Sequence, residues 1–415
     1  MKITFCAYDK PGSIGGPVTW LQNLLPALKK KGFEVCCLIL FHENETGPLF
    51  EHLIQHHITC EATKFNYYTE DNVRWILECL KNNPPHIFVP NLVVPAYFAA
   101  KWARKAGVFT VGVSHSDDPF YHAIQKEFID GRKDFRLDGM VCVSNELEKQ
   151  LNASKFSTNV FIKRIPYGVQ IPENKSNRTN NELKVVYVGR LAEEQKRISE
   201  VARAFCKMTS LLSNVTAEIY GDGPDRANVE AVLAEEGSGL PIFLKGSVPS
   251  DSVQKELLTA HVIVLLSDFE GLPIAILEAM ACGVVPVCLR MKSGISEQIH
   301  HGETGLVVND RENDFILGIK MLADDLLLWE KMSFNAKQYT REFFTIEKCH
   351  QSWEDYFNSI KVVNPKPLVI PRKINLPKVN TYLARADRRK SFQLKDIYYK
   401  LRIKLGKYKR ILFKQ

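Results

Sequence analysis

No Asp-x-Asp occurs anywhere in the 415 residues. That absence removes the common carboxylate pair that holds a divalent metal against a nucleotide diphosphate, and the expectation is chemistry with no metal. No Gly-x4-Gly-Lys-Ser/Thr loop is present, which speaks against a P-loop nucleotidase. Neither Gly15-Gly16 nor the stretch Tyr220–Pro224 completes a Gly-x-Gly-x-x-Gly dinucleotide pattern. No run approaches the ~18 uninterrupted apolar residues that a membrane span needs. The start, MKITFCAYDKPG, offers only a short apolar-leaning run, far below a signal-peptide core. A cytoplasmic protein is therefore expected, with at most peripheral attachment to the inner face of the membrane. There are 10 cysteines, but no two have Cys-x-x-Cys spacing. Cys6, Cys36, Cys37, Cys142 and Cys288 sit in strand-like apolar runs, where a thiol acts as a small core hydrophobe.

With 45% hydrophobic and 25% charged residues, the composition is that of a globular protein. The length favours two domains of roughly 150–200 residues each. Charge is unevenly placed. Residues 361–415 hold 17 Lys and Arg against 2 Asp, a net +15, which against the chain's +8 leaves −7 for residues 1–360.

Apolar runs alternate with helical periodicity twice over. KITFCAY precedes a segment in which Val18, Leu21, Leu24, Leu25 and Leu28 recur at helical spacing, and Gly32 follows as a stop. EVCCLIL, a helix around 71–81, HIFVPN, VFTVGVSH and GMVCVSN continue the series. After VFIKRIPYGV the polar segment IPENKSNRTNNE reads as a linker. LKVVYVGR, VTAEIYGDG, IFLKGSV, HVIVLLS, VVPVCLR and GLVV then repeat the alternation. Such runs signal parallel sheets covered on both faces. The expected fold is α/β: two doubly wound Rossmann-like domains at 1–172 and 183–340, facing across a cleft. A linker at 173–182 joins them, a closing helix follows at 341–360, and a basic tail fills 361–415.

The richest stretch is LLSDFEGLPIAILEAMACGVVPV, from Leu265. A strand ends near Ser267, a loop carries Glu270, Gly271 and Leu272, and a helix begins at Pro273, a favoured first position. A helix start offers unpaired N–H groups and partial positive charge to an anion, here a diphosphate. Glu278 lies on the otherwise apolar helix, where a carboxylate is costly to bury unless donors meet it; ribose hydroxyls would serve. A solvent-facing glutamate on an amphipathic helix is the plain alternative. In VVYVGRLAEEQKR a strand stops at Gly189, and Arg190 and Lys196 follow; together they could neutralise a diphosphate. Glu193 and Glu194 beside them argue against a general basic patch. Gly15 and Gly16 before a helix would allow close backbone approach to a ligand. His115, in VGVSHSDD, ends a strand and could reach the cleft, although a lone histidine is more often structural.

Taken in order, Gly15–Gly16, Val143–Asn145, Ile165–Val169, Val188–Leu191 with Lys196, Tyr220–Pro224, Gly246–Val248, Glu270–Glu278, Ala281–Val287 and Glu303–Val308 resemble glycosyltransferase family four. These are retaining enzymes of the GT-B architecture, and the resemblance covers roughly residues 1–360. It implies that Arg190 and Lys196 bind the donor diphosphate and that Glu278 binds the ribose hydroxyls. Glu270 would contact the transferred sugar, with backbone N–H groups of Gly271–Pro273 nearby. Gly16 would lie against the phosphates across the cleft, and His115 would meet the sugar at its C6 hydroxyl. The resemblance further implies retention without a protein nucleophile: the acceptor hydroxyl attacks from the face the nucleotide leaves, and a phosphate oxygen takes its proton. Departures are Tyr167 where the family often has Asn, Arg197 where it often has Gly, and Ser116 between His115 and Asp117.

The donor implied is a nucleotide-diphosphate hexose, a UDP-sugar in preference to GDP-mannose, used without a further cofactor. The acceptor would be a glycan or lipid-linked molecule of cell-surface polysaccharide or glycolipid synthesis. Rival readings are a GT-B nucleotide-sugar epimerase, a glycogen- or sucrose-type synthase and a non-catalytic sugar-nucleotide-binding scaffold. In the tail, VNPKPLVIPRKINLPK carries four prolines, which forbid a continuous helix and suggest an extended tether. Beyond it, Leu394, Ile397, Tyr398, Leu401, Leu405, Tyr408, Ile411 and Leu412 share one helical stripe amid Lys and Arg. That pattern fits the surface of an anionic membrane better than nucleic acid, with a helix packed back on the acidic body as the plain alternative.

Overall fold

A computed structural model of the chain describes residues 1–12, 15–42, 47–179, 181–249, 252–379, 381–384 and 388–389. Strands β1 (Lys2–Asp9), β2 (Glu34–Phe41), β3 (Thr59–Lys64), β4 (Ile87–Pro90), β5 (Phe109–Ser114), β6 (Gly139–Cys142) and β7 (Phe161–Arg164) build a first sheet. Its order is β3-β2-β1-β4-β5-β6-β7. Strands β8 (Leu183–Val188), β9 (Val215–Tyr220), β10 (Ile242–Gly246), β11 (Val262–Leu265), β12 (Val285–Leu289) and β13 (Leu306–Val308) build a second. Its order is β10-β9-β8-β11-β12-β13. Neighbours pair in parallel in both sheets.

The central strands read as unbroken apolar runs because helices cover both faces. In β4 and β11 every residue is buried. The edge strand β3 is instead mostly exposed. With no apolar run to mark it, TCEATK passes as loop in the sequence, and only its ladder to β2 makes it a strand. In each sheet the chain order reverses once, between β1 and β4 and between β8 and β11. Loops diverge there beyond the strand ends, which leaves a crevice for a ligand.

The closing helix expected at 341–360 is Ile346–Ser359, and a longer helix precedes it. The helix Leu326–Phe343 packs Trp329 and Met332 into the second core. After Thr345 the helix Ile346–Ser359 then returns to the first, burying Trp353, Tyr356 and Phe357 there. The two crossings touch, with Val169 N–H donating to the Phe344 carbonyl and Ile346 N–H to the Val169 carbonyl.

The polar segment before β8 is pinned to the second domain. Arg178 donates to the carbonyls of Leu322, Ala323, Asn181 and Glu182, and Lys337 donates to those of Pro172, Glu173 and Asn174.

The Pro-rich stretch after Ile360 corrects the expectation of a tether. It has no helix or strand over residues 361–379, yet it lies along the first domain as a strap. Leu368, Ile374 and, beyond it, Leu383 are buried in the first core. Lys366 N–H donates to the Ala106 carbonyl, and Arg74 donates to the Pro371 and Arg372 carbonyls. Prolines exclude a helix, but they do not stop apolar residues between them from finding a surface. The stripe Leu394–Leu412 lies outside the described residues. All 10 cysteines are free thiols. Among the described residues no helix is long and apolar enough to cross a membrane.

Candidate active site

The reversal point of the second sheet gathers three expected residues. Arg190 leaves β8, and Lys196 ends the short helix Glu193–Lys196. Lys196 Nζ meets Glu270 Oε1 at 2.6 Å, in the loop after β11. Gln195 fastens the same loop: its Nε2 donates to the Phe269 carbonyl at 2.9 Å and to Glu270 Oε2 at 3.3 Å, while its carbonyl accepts from Asp268 N–H at 3.0 Å. Glu270 is buried, so its charge is tolerable there because an ammonium and an amide meet it. Arg190 is exposed and has no ion-pair partner among the described residues. Burial raises the phenols of Tyr187 and of Tyr8, at the end of β1 in the other domain, and the nearby Arg190 guanidinium offsets this only in part. Among the described residues, Arg190 is thus an exposed cation at the end of β8 with no carboxylate partner.

The loop that follows is shaped by close packing across the cleft. A Cβ on Gly271 would strike the carbonyl of His115, so a larger residue would wedge the domains apart. The Gly271 carbonyl accepts from Gly294 N–H, and the Pro273 carbonyl accepts from Gln298 Nε2. Both carbonyls are thereby taken up on the second domain's side, so the N–H groups of Leu272 and Ile274, opposite them in their peptide planes, are not spent there. The helix runs Ile274–Ala281 with Pro273 as its N-cap, one position earlier than the first-turn role expected for it. Proline has no N–H; the donors of this loop are Gly271, Leu272 and Ile274.

A second helix start faces this one. Gly15 is the N-cap and Gly16 the first residue of the helix Gly16–Lys30. A Cβ on Gly16 would sit 3.3 Å from Ile274 Cδ1. Two helix N-termini with partial positive charge therefore converge from opposite domains; in the first turn of the first, Gly16 offers its N–H, since Pro17 has none and Val18 and Thr19 donate to the Gly15 carbonyl.

Glu278 lies along a cleft cavity of about 490 Å³ that Thr19, Asn23, Tyr167 and Gln254 also line. It is half-buried, and no described residue pairs with its carboxylate. Burial pushes its carboxyl up to about 7. It is not a solvated surface glutamate: an uncompensated acceptor on an apolar helix invites hydroxyl donors.

His115 directly follows β5, as expected, but its ring is turned to the protein. One nitrogen, Nε2, meets Asn91 Oδ1 at 2.8 Å, and Nδ1 accepts from the Tyr167 hydroxyl. Tyr167 stacks on it with ring centroids 5.9 Å apart, and Trp20 meets it edge-on at 4.9 Å. Burial lowers its pKa to about 3, so it is neutral. Both nitrogens are engaged in this state, which removes the free reach towards a sugar hydroxyl. Tyr167 and Asn91 belong to this arrangement and were not singled out as site residues. The only hint in the sequence was the aromatic at 167.

Two Rossmann-like sheets with facing reversal points, a cation pair on one side and a glycine-led helix start on the other, define the class of GT-B glycosyltransferases. Comparisons with known proteins agree. Residues 14–171 match the family described as Glycosyltransferase Family 4, and residues 170–341 match Glycosyl transferases group 1. The chain belongs to glycosyltransferase family 4. It is 23% identical over 312 residues to the lipopolysaccharide 1,6-galactosyltransferase of Salmonella typhimurium, covering 74% of this chain and 84% of that protein. It is 27% identical over 230 residues to an exopolysaccharide phosphotransferase of Streptomyces coelicolor, covering 54% of this chain and 24% of that protein. Several curated relatives are spanned for only 24% to 42% of their length. Among solved structures, HepE of Anabaena in complex with UDP and glucose superposes with a TM-score of 0.70 at 18% identity, over 87% of this chain and 100% of that one.

Proposed function

We propose that the protein is a retaining glycosyltransferase that moves a hexosyl unit from a UDP-sugar to a glycan or lipid-linked acceptor in cell-surface polysaccharide or glycolipid synthesis. One observation carries this reading. Arg190, the Lys196–Glu270 pair and two opposed helix N-termini converge where the two sheets reverse. Such a concentration of positive potential fits a diphosphate leaving group. Arg190 and Lys196 offset its growing charge, the N–H groups at Leu272, Ile274 and Gly16 donate to its oxygens, and Glu278 accepts from the ribose. Glu270 orients Lys196 and receives hydroxyls of the sugar. A UDP-sugar is favoured because a relative of the same fold is recorded with UDP and glucose. Cell-surface polysaccharide is favoured because relatives include a lipopolysaccharide galactosyltransferase. The net +15 carried by residues 361–415 fits attachment to an anionic membrane, where a lipid-linked acceptor would reside.

The first test is a thermal-shift panel of nucleotide sugars, since a donor at ~100 times its dissociation constant stabilises by about 2.7 kcal/mol. In the turnover assay Lys196→Ala lowers kcat by ~100-fold, the scale for losing one preorganised charge. Activity should survive EDTA. Conversion of the donor to another sugar without any acceptor would instead identify an epimerase. No stabilisation by any nucleotide sugar would overturn the proposal.

A further inference from the structure

Arg197 immediately follows Lys196 and adopts a left-handed backbone, φ 51° and ψ 46°. Side chains other than glycine rarely hold that conformation, and it persists only where the surroundings over-determine it. Here they do. The Arg197 guanidinium hydrogen-bonds Glu200, and its Nε lies 3.5 Å from Asp268 Oδ2 as an ion pair without a hydrogen bond. Arg311 meets the same two carboxylates, Glu200 at 3.3 Å and Asp268 through its Nη2. Its Nε also donates to the Leu266 carbonyl at the end of β11. The four side chains close a ring of alternating charge.

The ring joins the loops that carry the donor-site cation and its carboxylate. Gln195, Lys196 and Arg197 each grip the segment after β11: at Asp268, Phe269 and Glu270; at Glu270; and at Asp268. Single exposed ion pairs hold little. In a closed ring, however, each charge meets two opposite partners and no side chain can swing away without breaking both. Glycine at 197 would relieve the backbone and open the ring, leaving the two loops joined by Gln195, by Lys196 and by the Glu200–Arg311–Asp268 bridge.

We propose that Arg197 is a positioning residue: by closing the ring with Glu200, Arg311 and Asp268, it holds Lys196 against Glu270 as one rigid unit poised for the donor. The inference rests on the donor site proposed above, and its test has an arm that needs no donor. Arg197→Gly keeps the backbone and removes the guanidinium; Arg197→Lys keeps charge but cannot bridge two carboxylates in a fixed fork. In the first arm, ligand-free protein is reductively methylated with formaldehyde and labelling at Lys196 is read by mass spectrometry, with Lys2 in the first domain as reference. Labelling of Lys196 rises severalfold in both variants while Lys2 is unchanged. In the second arm, kcat falls by ~10- to 100-fold, the scale for a misplaced catalytic group, with the donor dissociation constant within about twofold. Raising salt to ~0.5 M lowers the wild-type kcat towards that of the variants and leaves theirs flat, because screening already weakens exposed pairs at that strength. Unchanged Lys196 labelling in Arg197→Gly, with only a lower melting temperature, would reduce the ring to a staple of the helix Ile198–Leu211 and overturn the inference. Increased labelling in a protein that binds no nucleotide sugar would uphold the positioning and refute the donor site instead.

Discussion

Glu278 gives the most exacting test of the donor site. Its carboxyl is raised from 4.5 to about 7 by burial alone. The folded protein therefore holds a proton that the unfolded chain releases, and ligand-free stability falls as pH rises from about 4.5 through about 7, then levels off. At ~1.4 kcal/mol per unit the whole effect is about 3 kcal/mol. Ribose hydroxyls donating to the carboxylate would favour its ionised form, so donor binding should expel the proton. Near pH 6 only about a tenth of Glu278 is ionised, and near pH 8 about nine-tenths. The dissociation constant for UDP-glucose should therefore fall roughly tenfold across that interval, with proton release visible in calorimetry as a dependence on buffer ionisation enthalpy. UDP-glucose suits the assay because its diphosphate is a diester and does not titrate there. Glu278→Gln should bind with no such slope, and ~1 kcal/mol more weakly at pH 8, where a charged acceptor is exchanged for a neutral one. His52 and His350 line the same cavity with pKa values lowered by burial; a slope that survives in Glu278→Gln belongs to them. An equal slope in both proteins would refute the role assigned to Glu278.

Four further outcomes are expected. Tyr167→Phe removes the hydroxyl that donates to His115 Nδ1 and should lower stability by ~1 kcal/mol, measured by urea denaturation at pH 7. Because burial lowers His115 to about 3, its own contribution to stability should decline as pH falls below about 6.5, where the unfolded histidine gains a proton, opposing the contribution of Glu278; a variant lacking His115 should show a shallower acid slope. Truncation after Ile360 removes Leu368, Ile374 and Leu383 from the first core, each contributing ~1.5–3 kcal/mol of burial. It should lower the melting temperature sharply, whereas truncation after Arg389 keeps all three side chains. The second truncation is the one to compare with the full chain in sedimentation with anionic liposomes. Equal sedimentation would remove the membrane role of the tail.

The local sequence determined what local rules govern. Buried central strands carry unbroken apolar runs, so β1, β2, β8 and β11 could be read directly. Helix starts announced themselves through Gly15-Gly16 and Pro273, and residues at strand ends, Arg190 and His115, fall where loops begin. Because parallel sheets place such loops at one end, a list of strand-end residues was already a list of candidate ligands.

The tertiary structure decided which of them meet. No spacing rule joins Lys196 to Glu270, or Gly16 to Ile274, since both contacts form between elements brought together by sheet order and domain closure. The edge strand β3 gains its identity from its neighbour, and the strap gains its place from the apolar surface beneath its prolines. His115 shows the point most sharply: sequence set it at the end of β5, but Tyr167 and Asn91 claimed its nitrogens, through hydrogen bonds whose partners lie 52 and 24 residues away. Local pattern fixes which residues reach a strand end, whereas charge state and hydrogen bonding depend on what the folded chain packs around them.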